Sequence, residues 1–491
     1  MTFLSFWNPD FGVRLLTDCK SICIVLSLLH NNNKEESLFR YICTLYTYSF
    51  YLLPKRTYFQ DIAGVLGSNV FTLFTNFGLV ILLGRMLGPE MYGLYTALLV
   101  VPLLVVSFFQ MGIRPTTVFL IGSGKEDENK VVSAMLTVLI FTASTGVIFS
   151  AVAYFFVGTE GYTPLLIIMA LLTIPMRLTS IYTGGVYLGK EEIPITNMMN
   201  WLTGLLTLVL AIIMVYFLKM GLFGAVASMM LANTIVAVVA ISMLVRRFKT
   251  RISLGNPLIG RMLKTGVVYA LSFLTIQLNY RLDVILLKVL SEPREVGIYA
   301  LGVSMAELLW QIPLAISIVV MSRSANASDK KALNESTARL LRISLILGVF
   351  ISAGIVILSP WLVPLVFGEK FTPSVLVMQT IMPGILMIII FRILSGQLAG
   401  TGHPEAAIKA FAPAMVLNVV LNYLWIPEYG ANGAVMATNL SYSLASVVYL
   451  FIFSRISGMP VKEIFRFGKE DWSFIKRFID RKKKPESRNE R

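Results

Sequence analysis

The chain has 491 residues, of which 56% are hydrophobic and only 14% charged, with a mean hydropathy of +0.75. Soluble domains carry about 45–50% apolar and about 25% charged residues, so the composition excludes a soluble globular protein. The 42 Lys+Arg against 27 Asp+Glu leave a net charge of +15. In so apolar a chain that excess marks cytoplasmic loops and lipid headgroups, and the aromatic-interleaved basic clusters of a nucleic-acid binder are missing.

Residues 1–60 read as an N-terminal extension with no assigned role, or as a run upstream of a native start near Leu53. Two short apolar stretches, 22–29 and 41–53, flank Asn31-Asn32-Asn33-Lys34-Glu35-Glu36. A basic start and a small-residue cleavage site are lacking, so this is not a good signal peptide. The three cysteines, Cys19, Cys23 and Cys43, all fall here and have no partners at zinc-ligand spacing. No metal site, cofactor or disulfide framework is expected in the main body.

From residue 61 the sequence divides into twelve apolar blocks: 61–84, 93–113, 132–157, 163–188, 195–218, 222–245, 265–288, 296–321, 339–366, 371–398, 405–426 and 430–454. Each is long enough for the roughly 20 residues that cross a bilayer as a helix. All are too long, and too poor in alternation, for barrel strands. Pro360 and Pro364 predict that the ninth is kinked or ends early.

Charges in the loops test the count. One side carries Lys125, Lys130 and Lys190, then Arg246, Arg247, Lys249, Arg251, Arg261 and Lys264, then Arg323, Lys330, Lys331, Arg339, Arg342 and Lys409. The other offers Arg85, Lys219, Lys288, Arg294 and Lys370. The positive-inside rule therefore predicts a multi-pass cell-membrane protein with its linker and C-terminal tail cytoplasmic. The tail Arg481-Lys482-Lys483-Lys484 suits anionic lipid, or is a solvated end.

The two halves share a signature. Val80-Ile81-Leu82-Leu83, Pro89, Gly93 and Tyr95 recur as Val284-Ile285-Leu286-Leu287, Pro293, Gly297 and Tyr299, every pair 204 residues apart; Ser68 and Ser272 fit the same offset. Gly224-Ala225-Val226 before Val238-Val239 returns as Gly433-Ala434-Val435 before Val447-Val448. We read an internal duplication. The expected fold is an all-α integral membrane protein with about 12 transmembrane helices in two parallel six-helix repeats around a central cavity. The expected parts are 1–60, a lobe at 61–246, a basic cytoplasmic linker at 247–264, a lobe at 265–455 and a basic cytoplasmic tail at 456–491. Six spans per repeat keep both halves in one orientation, which suits lobes that rock to expose the cavity alternately.

The run Leu87-Gly88-Pro89-Glu90-Met91-Tyr92-Gly93-Leu94-Tyr95 resembles the polysaccharide biosynthesis (Wzx-type oligosaccharide flippase) family. So do Asn279-Tyr280-Arg281-Leu282-Asp283 with the following Val284–Leu287, Val296-Gly297-Ile298-Tyr299-Ala300, and the stretch from Ala306-Glu307 to Gln311-Ile312-Pro313. That family lies within the multidrug/oligosaccharidyl-lipid/polysaccharide exporter superfamily. The resemblance covers roughly residues 61–455. It implies export of an oligosaccharide linked through phosphate or pyrophosphate to a polyprenol, with the lipid tail left in the bilayer.

Charges inside the blocks are the candidate site. A buried Arg costs at least about 2.5–3.5 kcal/mol at a helix centre and so faces a partner or a wet cavity. Arg281 lies in the seventh block, and Asp283, two residues on, points elsewhere on a helix. Arg281 is thus available to a phosphate, which a guanidinium matches bidentately, or to an inter-helix salt bridge. Asp283 pairs another helix or binds H+ or Na+. Arg177, mid-way along the fourth block, and Arg392, in the cytoplasmic third of the tenth, are further cavity candidates; snorkelling is the alternative for Arg392. Glu307 and Gln311 stand i, i+4 in the eighth block, for sugar hydroxyls, ion coupling or polar glue between helices. The substrate-binding set is therefore Arg281, Arg177, Arg392 and Gln311, and the ion-coupling set Asp283 and Glu307. Arg85 and Lys288 read as interface anchors, while His30 and His403 lack the company that catalysis or metal binding needs.

The expected partners are a lipid-linked oligosaccharide, membrane lipid and H+ or Na+, with no nucleic acid. A cation-coupled drug or small-molecule antiporter of the same superfamily is the rival reading. A membrane glycosyltransferase would need a larger outer loop than Gly158-Thr159-Glu160-Gly161, and no phosphate-binding loop for ATP exists, so the chain reads as a carrier and not an enzyme.

Overall fold

The structure is a computed structural model that describes residues 58–122, 124, 126–190, 192–252, 255–325, 329–403 and 405–468. The readings made for residues 1–57, with their three cysteines and His30, and for the basic run 481–484 lie outside the described residues, as do the side chain of Ser272 and residue Lys125.

The first lobe contains α1 (Tyr58–Phe109), α2 (Ile113–Gly122), α3 (Glu128–Val157), α4 (Pro164–Gly189), α5 (Ile193–Ala211), which continues through a π-helical turn at Ile212–Phe217, and α6 (Gly221–Arg247). The second contains α7 (Leu258–Leu290), α8 (Pro293–Ala306), a 3₁₀ turn at Glu307–Trp310, α9 (Gln311–Ala325), α10 (Lys330–Phe367), α11 (Ser374–Thr380), α12 (Met382–Gly400) and α13 (Ala406–Ser457). A single turn, α14 (Val461–Ile464), follows.

Among the described residues nine helical runs are long and apolar enough to cross a membrane. Two of them, Gly67–Gly122 and Ala406–Ser457, have 56 and 52 residues, far more than one crossing needs. Each is broken: α1 at Gly88 and α13 at Gly430. Gly88 takes φ 72°, a left-handed conformation open to glycine at no steric cost, and Pro89 then starts the next arm where a missing N–H is harmless. Counted as two rods each, and with α7 added, these runs are consistent with the twelve expected.

The ninth block does not end early, since α10 runs to Phe367 through both prolines. Pro360 cannot donate to the carbonyl of Val356. The Gln379 amide of α11 donates to it instead at 2.9 Å, and Ser359 Oγ adds a bond at 3.2 Å. Between α6 and α7 the chain is strapped to α3. The Lys249 amide donates to Asn129 Oδ1 at 2.9 Å, and Asn256 Nδ2 to the Lys130 carbonyl at 2.8 Å. Because α7 begins at Leu258, Arg261 and Lys264, read as linker, sit on its first turns.

The duplication is visible as packing. The second arm of α1 and the start of α8 cross so closely that a Cβ on Gly93 would strike the Pro293 carbonyl, and a Cβ on Gly297 would strike the Pro89 carbonyl. The contact is reciprocal, residue for residue, as an axis between two copies requires. Inside each lobe a second echo holds the fourth rod to the second. Gly185 and Gly189 of α4 lie on the backbone of Arg114 and Val118 in α2, and Gly396 and Gly400 of α12 lie on Ser317 and Met321 in α9. Small residues four apart let helix backbones approach in this way.

Gly93→Ala and Gly297→Ala are each expected to lower stability by about 1–3 kcal/mol through overpacking, read as a lower midpoint of thermal unfolding in detergent. Gly354→Ala, with open space at its Cβ, is the control expected to leave the midpoint unchanged.

Candidate functional site

Helix α7 supplies the centre of the site, and its geometry sorts the polar residues. Asn279 and Asp283 are one turn apart and share a face; Arg281, between them, points to another. The first face looks into the second lobe. Asp283 is fully buried there and accepts three bonds: from Tyr299 Oη at 2.7 Å, Thr438 Oγ1 at 2.8 Å and Asn422 Nδ2 at 2.6 Å. Asn279 Nδ2 donates to Ser441 Oγ at 2.9 Å beside it. The side-chain oxygens of Asn279, Asn418 and Asn422 are buried with no hydrogen-bond donor among the described residues. A carboxylate with several carbonyl-type oxygens is the donor set a hard cation prefers. No group of three or more His, Cys, Asp or Glu occurs among the described residues, and the groups bonded to Asp283 are hydroxyls and an amide.

The second face looks onto the seam between the lobes. Arg281 donates to Glu307 Oε2 at 3.1 Å; the arginine side chain keeps 31% of its surface exposed against 13% for the glutamate. Of the two options open for Arg281, the inter-helix salt bridge is therefore made in this state, while exposed surface remains for a further ligand. Glu307 begins the 3₁₀ turn that interrupts the eighth rod. Three residues per turn swing Gln311 away from Glu307, so the i, i+4 pairing read from the sequence does not form; Gln311 is exposed. Arg392 does not snorkel. Its guanidinium lies over the rings of Trp310 and Tyr280, at 5.1 and 5.3 Å. Those rings stack against each other at 5.0 Å, and Tyr442 closes the group at 5.6 Å from Tyr280.

The first lobe answers across the seam. Arg177 sits mid-way along α4, half-buried beside Tyr95, with no hydrogen-bond or ion-pair partner among the described residues. Tyr95 stacks on Tyr92 at 6.3 Å, and Tyr92 borders both Arg281 and Ser304 of the second lobe. The structure thus sets Arg281 beside Tyr92 across the lobes, Arg177 beside Tyr95 within the first lobe, and Arg392 behind aromatic rings, and leaves Gln311 outside this group.

The sequence reading missed five residues of the buried cluster: Asn279, Asn418, Asn422, Tyr299 and Thr438. Asn418 and Asn422, one turn apart in an apolar block, were the available signal. It also missed Arg114 of α2, half-buried against Gly185.

The described residues form two intimately crossed helical lobes with nine runs long and apolar enough to span a bilayer, and the chain is a multi-pass membrane protein. Solved structures share its fold. The lipid II flippase MurJ in an inward closed conformation superposes with a TM-score of 0.68 at 14% identity, covering 86% of this chain and 92% of that one. A multidrug resistance MATE family transporter in its inward-facing conformation gives 0.67 at 16% identity, covering 80% and 96%; its outward-facing conformation gives 0.58. The family model described as polysaccharide biosynthesis protein matches residues 82–376, and the chain belongs to that family. Capsular polysaccharide biosynthesis protein CapF of Staphylococcus aureus is 22% identical over 400 residues, 79% of this chain and 97% of that protein. The probable low-salt glycan biosynthesis flippase Agl15 of Haloferax volcanii is 23% identical over 201 residues, 40% of this chain and 42% of that one.

Asp283→Ala removes the shared acceptor of three buried donors, leaving Asn422 and Thr438 the carbonyls of Asn418 and Ala434 and Tyr299 the Thr438 hydroxyl, and is expected to cost about 1–3 kcal/mol of stability, measured by thermal unfolding in detergent. Asp283→Asn, which keeps an oxygen for them, is expected to cost clearly less.

Proposed function

We propose that the chain moves a lipid-linked oligosaccharide, a polyprenyl phosphate or pyrophosphate sugar, across the cell membrane by alternating access of its two lobes. The observation that carries the reading is the stacked pair Tyr92 and Tyr95, which has Arg281 of the second lobe beside Tyr92 and Arg177 of the first lobe beside Tyr95. A phosphate stripped of water needs charge-assisted donors, and guanidinium forks supply them where lipid supplies none. Relatives named for capsular polysaccharide and glycan biosynthesis support that class of cargo. The basic loops support a cytoplasmic linker and tail.

Arg281 does not receive the phosphate as a bare cation. Glu307 holds it, so the head group competes with a carboxylate at 3.1 Å. Phosphate arrival turns Glu307 loose, and a proton on Glu307 favours the exchange. Asp283 is the second coupling candidate, as a seat for H+ or Na+ among the amide oxygens of Asn279, Asn418 and Asn422. That buried carboxylate also favours the rival reading, a cation-coupled drug or small-molecule antiporter, because such a carrier needs an ion seat and not a phosphate seat. No catalytic step is assigned to any residue.

The test is transfer of a fluorescent polyprenyl-pyrophosphate oligosaccharide across proteoliposomes. Arg281→Ala and Arg177→Ala are each expected to slow transfer about 10- to 100-fold, the worth of one charged hydrogen bond of about 1.5–3 kcal/mol. Transfer at the wild-type rate removes those residues from the mechanism. Absence of any glycolipid movement alongside cation-driven drug efflux establishes the antiporter. For the ion seat, added Na+ is expected to raise the thermal midpoint of the wild type and not of Asp283→Asn. An equal rise in both would place Na+ elsewhere.

A further inference from the structure

At the end of the bundle opposite the linker, the first arm of α1 and the helix α7 each carry one cation close to their last turn. These are Arg85 and Lys288, 203 residues apart and so nearly equivalent in the duplication. Each reaches out of its own lobe to the end of the third rod of the other. Arg85 Nε donates to the Val366 carbonyl at 2.7 Å, and its second nitrogen to the Leu365 carbonyl, in the final turn of α10. Lys288 Nζ donates to the Glu160 carbonyl at 3.0 Å, just past the end of α3, and lies 5.3 Å from the Tyr162 ring. Both rods stop at a glycine of positive φ, Gly368 and Gly158. The last four carbonyls of a helix have no partner within it, and its C-terminus carries partial negative charge, so a cation is a natural ligand for Leu365 and Val366 at the end of α10, while Lys288 takes a carbonyl of the loop that follows α3.

The reciprocal crossing of Gly93 and Gly297 lies at the same end of the bundle, close after the breaks at Gly88 and before Pro293. Backbone contact there, the Arg85 bonds to the last turn of α10 and the Lys288 bond to the loop after α3 all tie the two lobes together at this mouth of the bundle. If the lobes separated here, water would replace the carbonyls at both cations. We infer that Arg85 and Lys288 are a pair of latches, copied with the lobe, which hold this mouth shut and set how often it opens. The inference rests on the alternating-access reading only in requiring that the mouth open at all; it is independent of the cargo.

The experiment follows a reporter thiol in the seam. Ser304→Cys, beside Tyr92, is placed in a chain whose Cys19, Cys23 and Cys43 are serine, and a membrane-impermeant maleimide is added from the side opposite the linker. Arg85→Met and Lys288→Met retain length and lose charge and donors. Each is expected to speed labelling about 2- to 30-fold, the range for a cation at a helix C-terminus. The double variant is expected to approach the product of the two, since separate sites add in free energy. Arg294→Met, an exposed cation at the same end, is expected to label at the parent rate. Gly93→Ala supplies an independent way to loosen the mouth. Labelling of the double variant at the parent rate, while Gly93→Ala labels faster, overturns the latches and leaves alternating access standing. If neither labels above the parent rate, the latches and the opening of this mouth fall together. Unchanged elution as a single species shows that each variant is folded.

Discussion

Everything in this molecule is arranged around a place where two helix backbones touch. The crossing of the α1 second arm with α8 at Gly93 and Gly297 admits no side chain on either strand of the contact. Close approach is favourable in a bilayer because lipid offers no hydrophobic force to drive helices together, so packing must do so. The contact fixes the two lobes about one axis and brings Tyr92 against Arg281 and Ser304.

From that contact the roles of α7 follow by rotation alone. One face points Asp283 and Asn279 into a buried polar nest within the second lobe. Another points Arg281 to the seam, and the last turn points Lys288 to the first lobe. A single helix therefore touches the buried acid, the seam and the closed mouth. Movement of α7 as a rigid rod would be felt at all three, which is how a local binding event acquires a global readout.

Much of this was legible in the sequence. Composition and block length gave the membrane helices, and the shared Pro, Gly and Tyr register gave the duplication. The glycines of that register turn out to be the contact itself, so the repeat was marked by the residues that the geometry cannot exchange. Arg281 and Asp283 were identified because charge inside an apolar block is conspicuous. Asn418, Asn422 and Thr438 were not, because neutral polar residues in such blocks are common and only their convergence on Asp283 distinguishes them. Gln311 does not pair with Glu307 because the i, i+4 spacing assumes a regular helix and the 3₁₀ turn at Glu307–Trp310 breaks the register. The prolines of α10 do not end that helix early, for a related reason. The carbonyl freed by Pro360 is satisfied by Gln379, a residue from another helix, which no local rule anticipates.

The same offset of 204 that relates the glycines relates Asn279, Arg281, Asp283 and Glu307 to Thr75, Phe77, Leu79 and Leu103. The two copies have kept a common shape and parted in chemistry, with ionisable groups in one and greasy or hydroxyl side chains in the other. Such a pair behaves as a heterodimer written on a single chain. Selection has been able to alter one member without matching change in its twin, and symmetry of form here is no guide to symmetry of labour.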